Sequence, residues 1–299
     1  MEEYIQTLSE DYPKIRFIKG ERNARYPYSN SLLIGNYLID TGVSTKRLRK
    51  VKKTFPIENV ILSHWHEDHI HANRIFRNVQ FHCHENDRPI IENISKMILY
   101  YNVENSPMGD ELKKLLEFLR CENTKINKLI KDNDVIKIDE DLDLKVLFTP
   151  GHTAGHCAFL EKNSKIGFFG DIDLSKLPYY GNIDANLMKF ENSIDRLLSM
   201  DFEVAITGHK GPFFGKVNIK EELKKYKEIL VNRDEEILSQ FKEKKVLLLE
   251  NLKRKHIIYK KYMFEEYEII AELLMIQKHI DKFLEQGIII PKEKGYVLE

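Results

Sequence analysis

The chain has 299 residues, enough for one large core with an appendage or for two domains, and its 47 Lys+Arg balance its 47 Asp+Glu. That balance removes any global attraction to nucleic acid or to an anionic membrane as the main partner. The acidic start MEEYIQTLSEDYPKIRF is no secretory signal, no stretch reaches the ~20 apolar residues of a membrane span, and Cys83, Cys121 and Cys157 show no CxxC spacing, so a reduced, cytoplasmic setting is the expectation.

From residue 13 to about 82 the runs IRFIKG, NSLLIGNYLID, NVILSH and NVQFHCH alternate with turn signals and read as strands. One of them leads into ILSHWHEDHIH at 61–71, which holds four of the 11 histidines of the chain. Each buried imidazole needs partners for both nitrogens, so this stretch is either a solvated loop or a binding site. Along an extended strand exit, side chains alternate. His64 and His66 therefore share a side and one ion, and the turn into a helix lets Asp68 and His69 face a second position. Trp65 between them is expected to pack against the sheet edge and stiffen the loop.

Residues 86–131 carry apolar residues at three- and four-residue spacing and read as two or three amphipathic helices covering the core, with a substrate lid as the alternative. Strands return in DVIKI, LKVLFT, CAFLEK, KIGFFGD and EVAITG, interrupted by the helical LMKFENSIDRLLSM. Three of these strands stop at a glycine beside a metal-ligand side chain: His152 in TPGHTAGH, Asp171 in FFGDID and His209 in AITGHKGP. A catalytic zinc needs about three protein ligands and an open position. The set therefore suits two divalent ions: His64, His66 and His152 on one, Asp68, His69 and His209 on the other, with Asp171 between them. Zinc is the first expectation for both, and iron or manganese accept the same donors.

From residue 217 the chain turns mostly helical and ends in IAELLMIQKHIDKFLEQG and IIIPKEKGYVLE, a helix closed by Gly287 followed by a hairpin, in the manner of a winged-helix tail. The expected domains are 1–216, catalytic, and 217–299, helical. The tail counts 17 Lys+Arg against 16 Asp+Glu, with KRKHIIYKK at 253–261 as its one basic run, short of what a phosphate-neutralising groove needs.

The motif HxHxDH at 64–69, with His152, Asp171 and His209 in that order downstream and LIDTG ending at Gly42, resembles the metallo-β-lactamase superfamily of binuclear hydrolases over residues 13–216. The resemblance implies an α/β architecture, an αββα sandwich with the metals at one edge of two packed sheets. It also implies that Asp40 and His156 support the ligands through hydrogen bonds. TPGHTAGH is the form of the glyoxalase II-like, thioesterase and lactonase branches, whereas IHAN after the metal loop departs from the glycines usual in glyoxalase II. GDIDLSKLPYYGNIDANL resembles uncharacterised prokaryotic hydrolases of the superfamily. Asp171 stands where the zinc-dependent lactamases carry Cys, and the distance to His209 leaves no room for the inserted cap of the large RNA-processing nucleases.

The expected reaction is hydrolysis of a small ester, thioester or lactone by a hydroxide shared between two metals, with Asp68 orienting it and relaying a proton. The alternatives are an endoribonuclease or phosphodiesterase whose tail positions RNA, and a mononuclear-iron oxygenase resembling persulfide dioxygenases. Tyr179, Tyr180, Asn182 and His71 are the expected substrate contacts. The expected partner is a small molecule rather than nucleic acid or membrane, and the tail is compatible with a homodimer.

Overall fold

A computed structural model of the chain describes residues 2–242 and 246–299. Fifteen strands among these residues form two large sheets and a terminal hairpin. The first sheet has β1 (Ile5–Thr7), β2 (Ile15–Ile18), β3 (Ser31–Ile34), β4 (Tyr37–Ile39), β5 (Asn59–Ile61), β6 (Gln80–His84) and β7 (Lys128–Ile130) in spatial order. Its first three pairings are antiparallel and the rest parallel. The second has β8 (Val135–Lys137), β9 (Asp143–Phe148), β10 (Cys157–Glu161), β11 (Ile166–Phe168), β12 (Val204–Ile206) and β13 (Phe213–Phe214), with one parallel pair, β11 and β12.

Period-two alternation decides which face each residue serves. Leu32 and Ile34 of β3 and Cys157 and Phe159 of β10 point between the sheets, where they pack with Ile15, Ile61, Val146, Phe168 and Ile206. Their neighbours point outward. Leu33, Leu38 and Val60 meet Leu48 and Val51 of helix Thr45–Thr54, together with Ile90, Met97 and Leu116 from 88–119. Leu147, Ala158, Leu160 and Ala205 meet Phe190, Ile194 and Leu197 of helix Leu187–Leu198. Two sheets with helices on both outer faces make an αββα sandwich.

The helix Lys216–Lys242 and the helix Glu265–Glu285 lie on this second outer face, and Ile219, Leu223, Tyr226, Met275, Ile276 and Phe283 share one apolar cluster with Phe169 and Phe190. The tail thus completes the outer layer of the second sheet. Helix Glu265–Glu285 is followed by β14 (Ile289–Lys292) and β15 (Gly295–Leu298), the expected helix and hairpin.

One expectation needs correction. The helical reading of 86–131 holds only to Leu119, where Arg120 takes a left-handed conformation (φ 55°) that stops the helix. Residues 128–130 instead form edge strand β7, because pairing with β6 buries Ile130 between the sheets, which a further helical turn would not do.

Candidate metal centre

The four motif-bearing stretches leave the ends of β5, β9, β11 and β12 on one edge of the sandwich. After β5 the chain bends at Ser63 and reaches His66, whose extended backbone caps a single helical turn, Glu67–Ile70. The rings of His64 and His66 lie with centroids 4.8 Å apart, and the helical turn carries Asp68 and His69 to the second group. Donor atoms of His64, His66, His152 and Asp171 lie within 4.8 Å of one another, as do those of Asp68, His69 and His209. All seven ligand candidates are therefore brought together, in the two groups their spacing suggests.

Asp171 stands between the groups. Its Oδ1 is 2.9 Å from His69 Nε2, and its Oδ2 is 3.4 Å from His152 Nε2, 3.6 Å from His209 Nε2 and 3.7 Å from His64 Nε2. Asp68 Oδ2 lies 3.3 Å from His209 Nε2.

The outer nitrogen of each ring is occupied, which orients the ring and leaves the inner nitrogen facing the cluster. His152 Nδ1 donates to the Tyr179 carbonyl at 2.8 Å, His209 Nδ1 to the Ala24 carbonyl at 2.8 Å, and His69 Nδ1 to Asp40 Oδ2 at 2.7 Å. His64 Nδ1 lies 2.9 Å from Ser63 Oγ, which itself donates to Asp40. His66 is turned the other way, with Nε2 3.2 Å from Asn182 Oδ1 and Nδ1 3.0 Å from His152 Nε2. His64 Nε2, His69 Nε2 and Asp171 Oδ1 are buried without a hydrogen-bond partner. Buried polar atoms without a hydrogen-bond partner are costly, and here they converge. A divalent cation in each group satisfies them, so the donor set fits two such ions.

Protonation follows from the same geometry. Burial, with neighbouring imidazoles beside it, keeps His64 and His66 well below the ordinary histidine pKa, so both are neutral at pH 7. Burial also opposes charge on His69 and His209, but carboxylates outweigh it and lift both well above the usual value: Asp171, Asp40 and Asp68 for the first, Asp171 and Asp68 for the second. Burial likewise pushes Asp68 and Asp171 upward and is overcome by the imidazoles, which bring Asp68 down to about 2 and hold Asp171 well below the carboxylate range. In the metal-free chain two imidazolium rings thus neutralise the carboxylates. Loading zinc at pH 7 should release about two protons, one from each of these rings, measurable by calorimetry in buffers of different ionisation enthalpy. The sign for stability follows: their contribution is complete below the unfolded histidine pKa and is lost as pH rises through the raised folded values. The metal-free protein should therefore lose thermal stability above about pH 6.5, and the loaded protein should not.

Asp40, at φ 61° and fully buried, accepts from Ser63 N at 2.7 Å, Ser63 Oγ at 2.6 Å and His69. His156 accepts the Asp171 amide at Nε2, 2.9 Å, while its Nδ1 bonds Thr149. Both stand behind ligand residues.

The expected substrate contacts turn out differently. Tyr180 is fully buried and its hydroxyl bonds His279 Nε2 at 2.7 Å and Arg233 at 2.9 Å, so it joins the loop to the tail and does not reach the cluster. Asn182 is equally buried; besides holding His66 it donates to the His152 carbonyl at 2.7 Å, which makes it a brace between two ligands. Asn182→Ala should weaken metal affinity about 10- to 100-fold in a competition titration with a chromophoric chelator, with little change in fold by circular dichroism. His71 is buried, with its ring edge against Tyr28, and burial lowers its pKa to about 4. Tyr179 is partly buried; its carbonyl orients His152 and its hydroxyl meets Tyr267 of the tail at 2.7 Å.

Sequence reading does not single out Glu67, Asp87 or Asp184. Glu67 accepts from Tyr26 at 2.6 Å and Tyr101 at 2.7 Å, and burial beside Asp68 raises its pKa. Asp87 accepts from Thr153 and Gly155, and Asp184 from Trp65 and Ala154, pinning the two ligand loops to each other. Asp87 precedes Arg-Pro and so reads as an ordinary helix cap; its side chain makes no cap bond. Only tertiary structure reveals its use.

The sequence profile described as the Metallo-beta-lactamase superfamily matches residues 25–209. Among curated relatives, an uncharacterised protein of Aquifex aeolicus is 24% identical over 139 residues, covering 45% of this chain and 58% of its own. A hydroxyacylglutathione hydrolase of Buchnera aphidicola is 29% identical over 126 residues, covering 42% of this chain and 38% of its own. The match thus spans less than two thirds of either relative. Among solved structures, a metallo-beta-lactamase family protein from Thermus thermophilus covers 95% of this chain and 93% of its own at 18% identity, TM-score 0.68. A beta-lactamase domain protein from Burkholderia ambifaria covers 99% and 95% at 14% identity, TM-score 0.71. These likenesses extend through the tail and establish the fold.

Proposed function

Because the chain belongs to the metallo-β-lactamase superfamily, we propose that it is a metal-dependent hydrolase with two divalent cations, zinc first, acting on a small ester, thioester or lactone. The observation that carries this reading is Asp171, one carboxylate facing two histidine-bearing donor groups at once. When bound, such cations lower the pKa of water from about 15.7 to about 7 and supply hydroxide at neutral pH. His64, His66 and His152 would hold one and Asp68, His69 and His209 the other. Asp68, with Oδ2 3.3 Å from His209 Nε2, is placed to orient a nucleophile and take up its proton.

Access supports a small substrate. His64, His69 and His152 are fully buried, and the cluster meets solvent mainly through the His209 side chain, 20% exposed, and Asp171, 11% exposed. A narrow opening of this kind suits a compact group better than a polymer. In the basic run of the tail Arg254 is paired with Glu265 and Lys260 with Glu236, which lowers the free positive charge it offers to RNA.

The test combines metal analysis with turnover. Chelator-treated protein is reloaded with zinc, manganese or iron and assayed on thioesters, lactones and single-stranded RNA. Two ions per chain with ester or thioester cleavage is the expected result. RNA cleavage would favour the nuclease, and one iron with oxygen consumption would favour the oxygenase.

A further inference from the structure

Apart from the metal centre, one cavity of about 720 Å³ opens on the first-sheet side, lined by Arg49, Lys52, Lys53, Arg74, Arg77 and Arg120 together with Ile75 and Glu122. Six cations and one acid there contrast with a chain whose opposite charges are equal in number, so the accumulation is local. The cations come from separate segments: Arg49, Lys52 and Lys53 lie on one face of helix Thr45–Thr54, Arg74 and Arg77 follow the metal loop, and Arg120 stands at the left-handed end of helix Pro107–Leu119.

Among the described residues, none of the six makes an ion pair, whereas Lys113, Lys220 and Lys227 elsewhere each sit at 2.9 Å or less from a carboxylate. Two of the six are held in place by hydrogen bonds. Lys52 donates to the Ile75 carbonyl at 2.7 Å, and Arg74 donates to Thr45 Oγ1 at 3.0 Å while its Nε is buried without an acceptor. Folding has gathered like charges in one depression, where they repel, and has left a buried guanidinium donor unsatisfied. An anion in the depression offsets the repulsion among these cations.

We propose that this groove binds a compact, multiply phosphorylated anion. Four of the six cations are arginines, whose planar forks match phosphate oxygens in pairs. A volume of about 720 Å³ is of small-molecule size. No aromatic side chain lines the groove, so it offers no stacking platform for the bases of a single strand, and recognition runs through phosphate alone. None of the metal-ligand candidates lines it, which separates the site from the reaction centre.

The probe is sodium tripolyphosphate, titrated calorimetrically into the 299-residue chain both metal-loaded and after chelator treatment. The metal-free arm isolates the groove from sequestration of free ions by the probe. Saturable binding of one anion per chain is expected in both arms, weakening as salt rises. Affinity should fall at least about tenfold in the double variant Arg49→Glu, Lys53→Glu, both exposed side chains, with its thermal melting unchanged. No saturable binding, equal affinity in the double variant, or binding that disappears on metal removal would overturn the proposal. So would a single-stranded RNA that binds more tightly than tripolyphosphate at equal phosphate concentration and is lost in the same variant, since that would make the groove a nucleic-acid face.

Discussion

Asp171→Asn is expected to lower kcat/KM by at least about a thousandfold, equal to about 4 kcal/mol of transition-state stabilisation. The change keeps the size of the side chain and the backbone amide that His156 accepts, so the fold should survive. It replaces one of two carboxylate oxygens by an NH₂ group, which puts a donor where imidazole nitrogens wait for an acceptor or a cation. It also removes the charge that, more than any other carboxylate, holds the pKa values of His69 and His209 up against burial. Metal content measured by plasma mass spectrometry should therefore fall along with the rate, and the proton release on zinc loading should shrink. A variant with full metal occupancy and normal turnover would show that Asp171 does not join the two groups.

Gly42→Ala is the second large effect, and it acts through space rather than charge. A Cβ on Gly42 would come 1.7 Å from the Asp68 carbonyl oxygen and 2.1 Å from Ser29 Oγ, which donates to that same carbonyl. The obstacle is backbone and cannot rotate away. The metal loop must move, breaking the bond from Thr41 N to the His69 carbonyl at 2.8 Å and displacing Asp68 and His69 together. A loss of at least about 3 kcal/mol is expected, read from denaturant unfolding. Metal binding should be impaired in whatever fraction stays folded. Unaltered stability and zinc affinity would mean that the loop accommodates the extra methyl group by a shift that leaves its ligands in place.

The legible part of this molecule is the part governed by short-range pattern. The runs around SLLI and CAFLE read as strands and form β3 and β10, and glycine beside a ligand residue marks strand ends at His152, Asp171 and His209 because the turn and the chemistry sit in adjacent residues. Residues 120–130 read as helix because apolar spacing alone cannot distinguish a short edge strand from a helical turn, and pairing with β6 decides. The roles of Tyr180 and Asn182 depend on distant partners, Arg233 and His279 for one, His66 and His152 for the other. Proximity in sequence to Asp171 suggests a surface function, whereas tertiary bonds turn both side chains inward. Support by backbone carbonyls, as at Ala24 and Tyr179, leaves no trace in residue identity at all.

The carbonyl of Ala24 bears on the order in which the fold assembles. It steadies His209, the Asn30 amide bonds the Gly208 carbonyl at 2.6 Å, and Arg233 and His279 grip the loop that carries Tyr179 and Asn182. Pairing of the early strands alone leaves the ion cage unfinished, since the segments carrying Ala24, the metal loop, His152, Asp171 and His209 must all have met. Ion capture is then a late event in folding, one that reports the docking of segments far apart in sequence.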